Sequence, residues 1–230
     1  MASLVDQAQQ LLQSLVGSDL LEITLLSLAV SGLATGLSLL IGLPIGTWLA
    51  LSRFRSRGLV ISVVNTGMAL PPVVVGLFVA FMLWRSGPFG DLDLIYTPSA
   101  MVIAEVIIAT PVILGLTVAA LGQLDPRLRL QLMGLGASRW QTVWWLWREA
   151  RLPLLAALMA GFGSVISEVG AAMMVGGNIL HQTRVLTTAI VLEVGRGEFV
   201  QAVGLGIVLL ALAFLVNGVL TWAQMRGPRR

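Results

Sequence analysis

Residues 199–225 read FVQAVGLGIVLLALAFLVNGVLTWAQM, 27 positions without a charged side chain. A bilayer core asks for about 20 apolar residues in one helix, so this stretch can cross a membrane once. Four more stretches read the same way. Ile23–Ser52 holds 30 uncharged residues and Gly58–Trp84 holds 27. Leu94–Leu124 holds 31 interrupted only by Glu105, and Leu152–Thr183 holds 32 interrupted only by Glu168. None is long enough to cross twice, and none alternates polar and apolar residues as a membrane barrel strand does. The 230 residues are 57% hydrophobic and 11% charged, which excludes an ordinary soluble enzyme. The expectation is an all-α integral membrane domain over 23–225, with five transmembrane helices at about 23–52, 58–84, 97–124, 152–180 and 199–223.

Arginine sets the orientation. Arg53, Arg55 and Arg57 follow the first span; Arg127, Arg129, Arg139, Arg148 and Arg151 follow the third; Arg226, Arg229 and Arg230 close the chain, making eleven of the fourteen arginines. The other side holds Arg85, Arg184 and Arg196 among seven acids. The positive-inside rule then puts the N-terminus outside and the tail 226–230 in the cytoplasm. Residues 1–22 are polar and acidic, unlike a cleaved signal, so the first span is expected to stay in the mature protein. Leu4, Leu11, Leu12 and Leu15 fall opposite Asp6, Gln9, Gln10 and Gln13, which suggests an outer interfacial helix over 1–22. The pI of about 10.9 reflects arginines at membrane edges and in one loop, so no nucleic-acid partner is expected. With no cysteine and a single histidine, no disulfide, thiolate metal site or other metal centre is expected.

The longest charged non-spanning piece is 125–151, long for a connection between packed helices. Asp125-Pro126 is a helix-start signal, and Gly134 and Gly136 break the middle. Trp140, Trp144 and Trp147 recur at helical spacing beside Trp145, predicting a short helix with an aromatic face. Two readings of that face stay open: tryptophans anchored in the headgroup region, or a protruding element that carries force to a cytosolic partner.

Three motifs carry a resemblance. Gly136-Ala137-Ser138-Arg139-Trp140-Gln141, two helices before the C-terminus, resembles the cytoplasmic loop of type I ABC-importer permeases. In that loop a Glu-Ala-Ala precedes the glycine and a Leu-Pro follows. Here Leu130-Gln131-Leu132 and Arg148-Glu149 stand at those places, and Leu152-Pro153 comes four residues late. Leu70-Pro71-Pro72-Val73-Val74-Val75-Gly76 and Ser167-Glu168-Val169-Gly170-Ala171 look like segments of molybdate and sulfate permeases. Ala172 to Ile179, followed by Thr183-Arg184-Val185-Leu186-Thr187-Thr188-Ala189-Ile190, is similar to tungstate permeases. The resemblance spans roughly residues 20–225. It implies the type I importer permease fold in the inner or plasma membrane, with tungstate as substrate and molybdate or sulfate as the alternative. It further implies that Gly136, Ala137, Ser138, Arg139 and Trp140 meet an ATPase.

Among the spans, Glu168 stands out, because an ionisable group at membrane depth costs several kcal/mol unless paired, protonated or wetted. Its helical neighbours Gly161, Ser164, Ala171 and Ala172 are small, so another helix can come close. A carboxylate repels an anion. The reading is therefore that Glu168 holds a gate or subunit interface through hydrogen bonds, to Ser167 or an arginine; the alternative is a structural carboxylate. Pro71, Pro72 and Pro111 are expected to bend or interrupt their spans. Together Pro71, Pro72, Ser167, Glu168 and Gly170 form the candidate pathway or gate. Glu105 is expected at the outer interface, about two turns inside a helix that starts near Pro98. Gly32/Gly36 and Gly42/Gly46 form two GxxxG pairs suited to close packing, and His181–Glu198 forms an outer segment that could receive a loaded binding protein.

A transporter needs a drive, and this chain has no lysine, hence no ordinary Walker A loop. ATP and its Mg²⁺ would then act in a separate ATPase subunit, with no cofactor held by this chain. Five helices are few for an enclosed route, so a homodimer is expected, joined to an ATPase dimer and an extracytoplasmic oxyanion-binding protein. The rival class is an ion-coupled secondary transporter, for which Glu105 and Glu168 are the available coupling groups. An intramembrane enzyme would need a catalytic cluster at depth, and the sequence offers none.

Overall fold

The computed structural model describes residues 18–225. Most of the interfacial helix expected over 1–22 and all of the tail 226–230 lie outside them. Within them the chain is helical. α1 (Ser18–Leu51) leads to α2 (Arg57–Met68) and α3 (Pro72–Leu83), and a 3-10 turn at Gly90–Leu92 precedes α4 (Pro98–Gly122). Then come α5 (Pro126–Gly134), α6 (Arg139–Glu149), α7 (Arg151–Ile166), α8 (Gly170–Gly176), α9 (Leu186–Arg196) and α10 (Phe199–Met225). α1 takes in Ser18–Glu22, so those residues continue straight into the first span.

The helix starts follow side-chain chemistry. Thr97 accepts the Ala100 amide at 3.4 Å ahead of Pro98, and Asp125 accepts the Arg127 amide at 2.8 Å ahead of Pro126. Each proline occupies a first-turn site where its missing N–H is no loss. Ser138 and Gln141 close a capping box at the start of α6, with reciprocal bonds of 2.8 and 3.3 Å.

Three helices, Asp19–Leu51, Pro98–Gly122 and Phe199–Trp222, are long and apolar enough to cross a bilayer unaided. Two of the five expected spans are not single rods. The second breaks at Ala69–Pro71 into α2 and α3, bent by 94°; two successive prolines supply no amides to bridge the gap. The fourth, expected over about 152–180, ends as α7 at Ile166 and resumes as α8 at Gly170. α7 also forms a bent apolar pair with α6, at 75°. Pro111, by contrast, sits inside an unbroken α4.

α4 is the centre, packed on α1, α2, α3, α7 and α8. α1 runs parallel to it: the Ser38 hydroxyl donates to the Val106 carbonyl at 3.3 Å, Gly42 meets Ile113 and Leu114, and Gly46 meets Thr117. α7 and α8 run against it, with Gly161 on Ile113 and Gly176 on Met101. α2 is antiparallel as well, Gly67 facing Pro111 and Val64 facing Gly115. α10 returns beside α7, where the Gln224 amide donates to the Leu152 carbonyl at 3.3 Å. Direction therefore alternates from segment to segment. The arginine-rich connections consequently share one end: Arg57 Nε and Arg129 Nη1 donate to the Leu49 and Leu51 carbonyls at 3.1 and 2.9 Å. At the other end His181 meets Glu22 at 2.7 Å, and the rings of Trp84 and Tyr96 meet edge to face.

The core gathers where α3, α4 and α8 converge, around Val75, Val79, Met101, Ala104, Ala171 and Val175. α10 contributes little to it, since most of its apolar length is left uncovered. Such a helix, apolar all round, is placed by lipid or by a neighbouring subunit.

Candidate functional site

The two broken spans meet. The break in the second span, from Gly67 to Pro72, faces Ile107, Ile108 and Val112 of α4, with Ser164 of α7 and Glu168 of the second break closing a hollow of ≈260 Å³. Beyond the breaks α3 and α8 lie against each other so closely that glycine is required twice. A Cβ on Gly76 would sit 2.5 Å from the Ala171 Cα, and one on Gly170 would sit 2.3 Å from the Val73 Cγ2. Gly170 is among the residues expected at the gate. Gly76 ends the proline motif, and nothing local in the sequence announces which glycine meets another backbone.

Glu168 lines the hollow and is held on two sides. Its Oε1 accepts the Ala171 amide at 2.9 Å, which caps α8, and its carbonyl accepts the Thr187 hydroxyl at 2.8 Å from α9. Ser167, expected as its partner, instead donates to the Gly163 carbonyl at 2.7 Å one turn back, and its side chain is exposed. The carboxylate is thus tied to backbone amide rather than to a hydroxyl or an arginine. Pro71 and Pro72 border the same hollow, so Pro71, Pro72 and Glu168 come together, with Gly170 packed alongside and Ser167 turned away.

Glu105 differs from expectation. It stands about two turns inside α4, yet it is buried at 3% exposure, with Oε2 lacking a hydrogen-bond partner. Burial follows from Glu105 lying on the face of α4 that its neighbours cover, while Ile103 and Ile107 remain exposed, and the sequence alone does not announce which face that is.

The segment 125–151 is two short helices joined at Gly136, which adopts φ +83°. That left-handed value favours glycine. Leu135 and Trp140, on either side of the joint, are each 85% exposed, and Gly136, Ser138 and Arg139 are exposed with them, while Ala137 is partly covered. The expected aromatic face of α6 divides. Trp140 and Trp144 are exposed, whereas Trp147 turns into the bundle and its indole N–H donates to the Thr47 hydroxyl at 2.8 Å. Arg148 lies over the Trp145 ring, 5.1 Å from its centre.

At the opposite end, Gly177, Asn178 and His181 all take positive φ. Arg184 Nε donates to Asn178 Oδ1 at 3.2 Å, and the Thr183 hydroxyl donates to the Gly176 carbonyl. His181 pairs with Glu22, and that hydrogen bond holds its pKa above the ordinary histidine value. Among the described residues no three His, Cys, Asp or Glu side chains gather as a metal site would require.

Comparison with known proteins places this geometry. Residues 42–226 match the family described as binding-protein-dependent transport system inner membrane component. A probable anion ABC transporter permease protein of Haloferax volcanii is 39% identical over 92% of this chain and 93% of its own length. The tungstate uptake system permease protein TupB of Peptoclostridium acidaminophilum is 38% identical over 86% of this chain and 87% of its own. Relatives named for molybdenum and sulfate transport are more distant. A chain of the MetNI methionine ABC transporter, solved in inward-facing conformations, superposes with a TM-score of 0.75 at 19% identity, covering 91% of this chain and 96% of that one.

Proposed function

This chain belongs to the family of binding-protein-dependent transport system inner membrane components, and we propose that it is the permease subunit of an ATP-driven importer of tungstate. The observation that carries the substrate is its likeness, along most of both chains, to a permease named for tungstate. The chain is a multi-pass inner-membrane protein. Alternating helix direction and the arginine-rich connections gathered at one end support five passes, with the N-terminus outside and the arginine-rich end in the cytoplasm.

The working assembly in this reading is a homodimer with the route on its axis, two ATPase subunits beneath it, and a binding protein that traps the oxyanion above it. ATP and Mg²⁺ act in the partner, since a chain without lysine lacks the residue a Walker A loop places on the phosphates. Gly136, Ala137, Ser138, Arg139 and Trp140 form the contact with the ATPase. Exposed Leu135 and Trp140 at the tip provide apolar anchors there, of the kind a partner covers.

The gate is the hollow where both spans break. Discontinuous helices at mid-membrane line transport routes because free backbone groups are tolerated only beside a cavity or protein. α3 and α8, locked face to face at Gly76 and Gly170, move as one outer half against α2 and α7. Glu168 holds that half together through the Ala171 amide and the Thr187 hydroxyl. Its charge is turned to a structural bond and is not offered to the anion.

The test is uptake in proteoliposomes that hold this permease with its ATPase and binding protein. Tungstate should enter only with ATP inside the compartment that holds the ATPase. Uptake driven by an imposed ion gradient without ATP would instead support a secondary transporter.

A further inference from the structure

We infer that the last two turns of α1, below Pro44, are a lever moved by the cytoplasmic segment, and that Trp147 and Thr47 are the positioning pair that grips it. The inference rests on the ATP-driven reading above and deepens it: it names the path by which motion at the ATPase contact reaches the first span.

Pro44 lies inside α1. It has no amide to give the Leu40 carbonyl, so the helix lacks one rung there and can bend at that point, the turns beneath resting on α4 where Gly46 meets Thr117. Those turns also accept three hydrogen bonds from outside the helix. The Trp147 indole donates to the Thr47 hydroxyl at 2.8 Å, Arg57 Nε donates to the Leu49 carbonyl at 3.1 Å, and Arg129 Nη1 donates to the Leu51 carbonyl at 2.9 Å. Arg129 stands on α5 and Trp147 on α6, so both arms of the segment 125–151 grasp the same short stretch.

Packing repeats the arrangement. A small apolar cluster, separate from the main core, joins Leu121 of α4 and Leu146 of α6 to Ala150, with Ala50, Leu51 and Trp147 packed against it. The tip of the segment is exposed. A displacement applied at the tip is therefore delivered to α1 through the roots of α5 and α6. Trp147 is suited to gripping, because its flat ring packs in the cluster while its single N–H fixes the register of α6 on Thr47. Thr47 in turn donates to the Leu43 carbonyl at 2.7 Å, the residue just above the proline. The grip therefore reaches the residue just above Pro44, while the missing rung lies one turn higher, at Leu40.

The experiment compares wild type, Trp147→Phe, Thr47→Val, Thr47→Ser and the double variant Trp147→Phe/Thr47→Val. Each is assembled with its ATPase and binding protein in proteoliposomes, and tungstate moved per ATP hydrolysed is measured. Trp147→Phe and Thr47→Val should lower that ratio about fivefold, the equilibrium shift of one neutral hydrogen bond, while the ATPase still co-purifies and still hydrolyses ATP. The double variant should be no worse than either single change, because both remove one bond. Thr47→Ser, which keeps the hydroxyl, should match wild type. An unchanged ratio in Trp147→Phe and Thr47→Val, or an additive double variant, overturns the lever. So does loss of the ATPase from the single variants, which would make the pair merely structural. If wild type itself shows no ATP-dependent uptake, the ATP-driven reading fails first, and the lever falls with it.

Discussion

Replacing Gly76 by alanine should separate α3 from α8 and loosen the outer half of the proposed gate. The added Cβ would lie 2.5 Å from the Ala171 Cα, 3.1 Å from its Cβ and 3.2 Å from its carbonyl oxygen. Carbon atoms rest about 3.5–4.0 Å apart at contact, so the two helices must part by about 1 Å. The obstacle is backbone, so no rotamer change relieves it. Overpacking of this kind costs about 1–3 kcal/mol, and for a chain of this size each kcal/mol lowers the melting temperature by about 2–4 °C. The α8 cap at Ala171 sits on the displaced turn, so uptake should fall along with stability. Gly36→Ala serves as the control: it lies in a helix with nothing within 4 Å of the added carbon, and alanine favours helix by up to about 1 kcal/mol over glycine. The assay is thermal unfolding of the purified assembly in detergent, followed by uptake. A Gly76→Ala protein that melts with wild type would refute the close contact, and with it the claim that α3 and α8 move as one body.

Glu168→Gln keeps an oxygen that can accept the Ala171 amide, whereas Glu168→Ala removes the cap; the alanine variant should lose about 1 kcal/mol in thermal unfolding and most of its uptake, while the glutamine variant stays folded. Equal behaviour of the two in uptake and melting would show that the cap is not what Glu168 supplies. Gly136→Val forces a β-branched residue to φ +83° at an exposed joint, so the permease should still insert but lose its ATPase in co-purification. The His181–Glu22 pair gives a pH dependence of definite sign. Because the pair raises the histidine pKa, its contribution is full below the unfolded value of about 6.5 and fades as pH rises through the folded value. Glu22→Gln should therefore lower the melting temperature at pH 5.5 and leave it unchanged at pH 9; the reverse order would contradict the pairing.

Much of this architecture can be read from charge spacing, because the bilayer imposes its rule on every residue of a span. The break at Pro71-Pro72 is legible for a similar reason, since missing amides are written in the residue type. Where neighbours decide, the sequence is silent. Pro111 carries the same chemistry as Pro71, yet α4 runs through it, its ring packed against Gly67. The gap at 167–169 has no proline; it opens where the Glu168 side chain takes the Ala171 amide and Thr187 takes the Glu168 carbonyl, a competition that needs the fold to exist first. The two GxxxG pairs look alike, but Gly42 and Gly46 pack on α4 while Gly32 and Gly36 face open space. Helical spacing puts three tryptophans on one face. The bundle then draws in Trp147, which sits at the root of α6 within reach of Thr47, and leaves Trp140 at the tip outside.

The central claim, import of a specific oxyanion, is met most directly by elemental mass spectrometry of cells with and without this gene, grown at nanomolar tungstate, molybdate and sulfate. Loss of tungsten with molybdenum and sulfur unchanged is the expected result. Loss of molybdenum or sulfur instead would keep the transport mechanism and overturn the substrate, and no change in any of the three would contradict oxyanion import altogether.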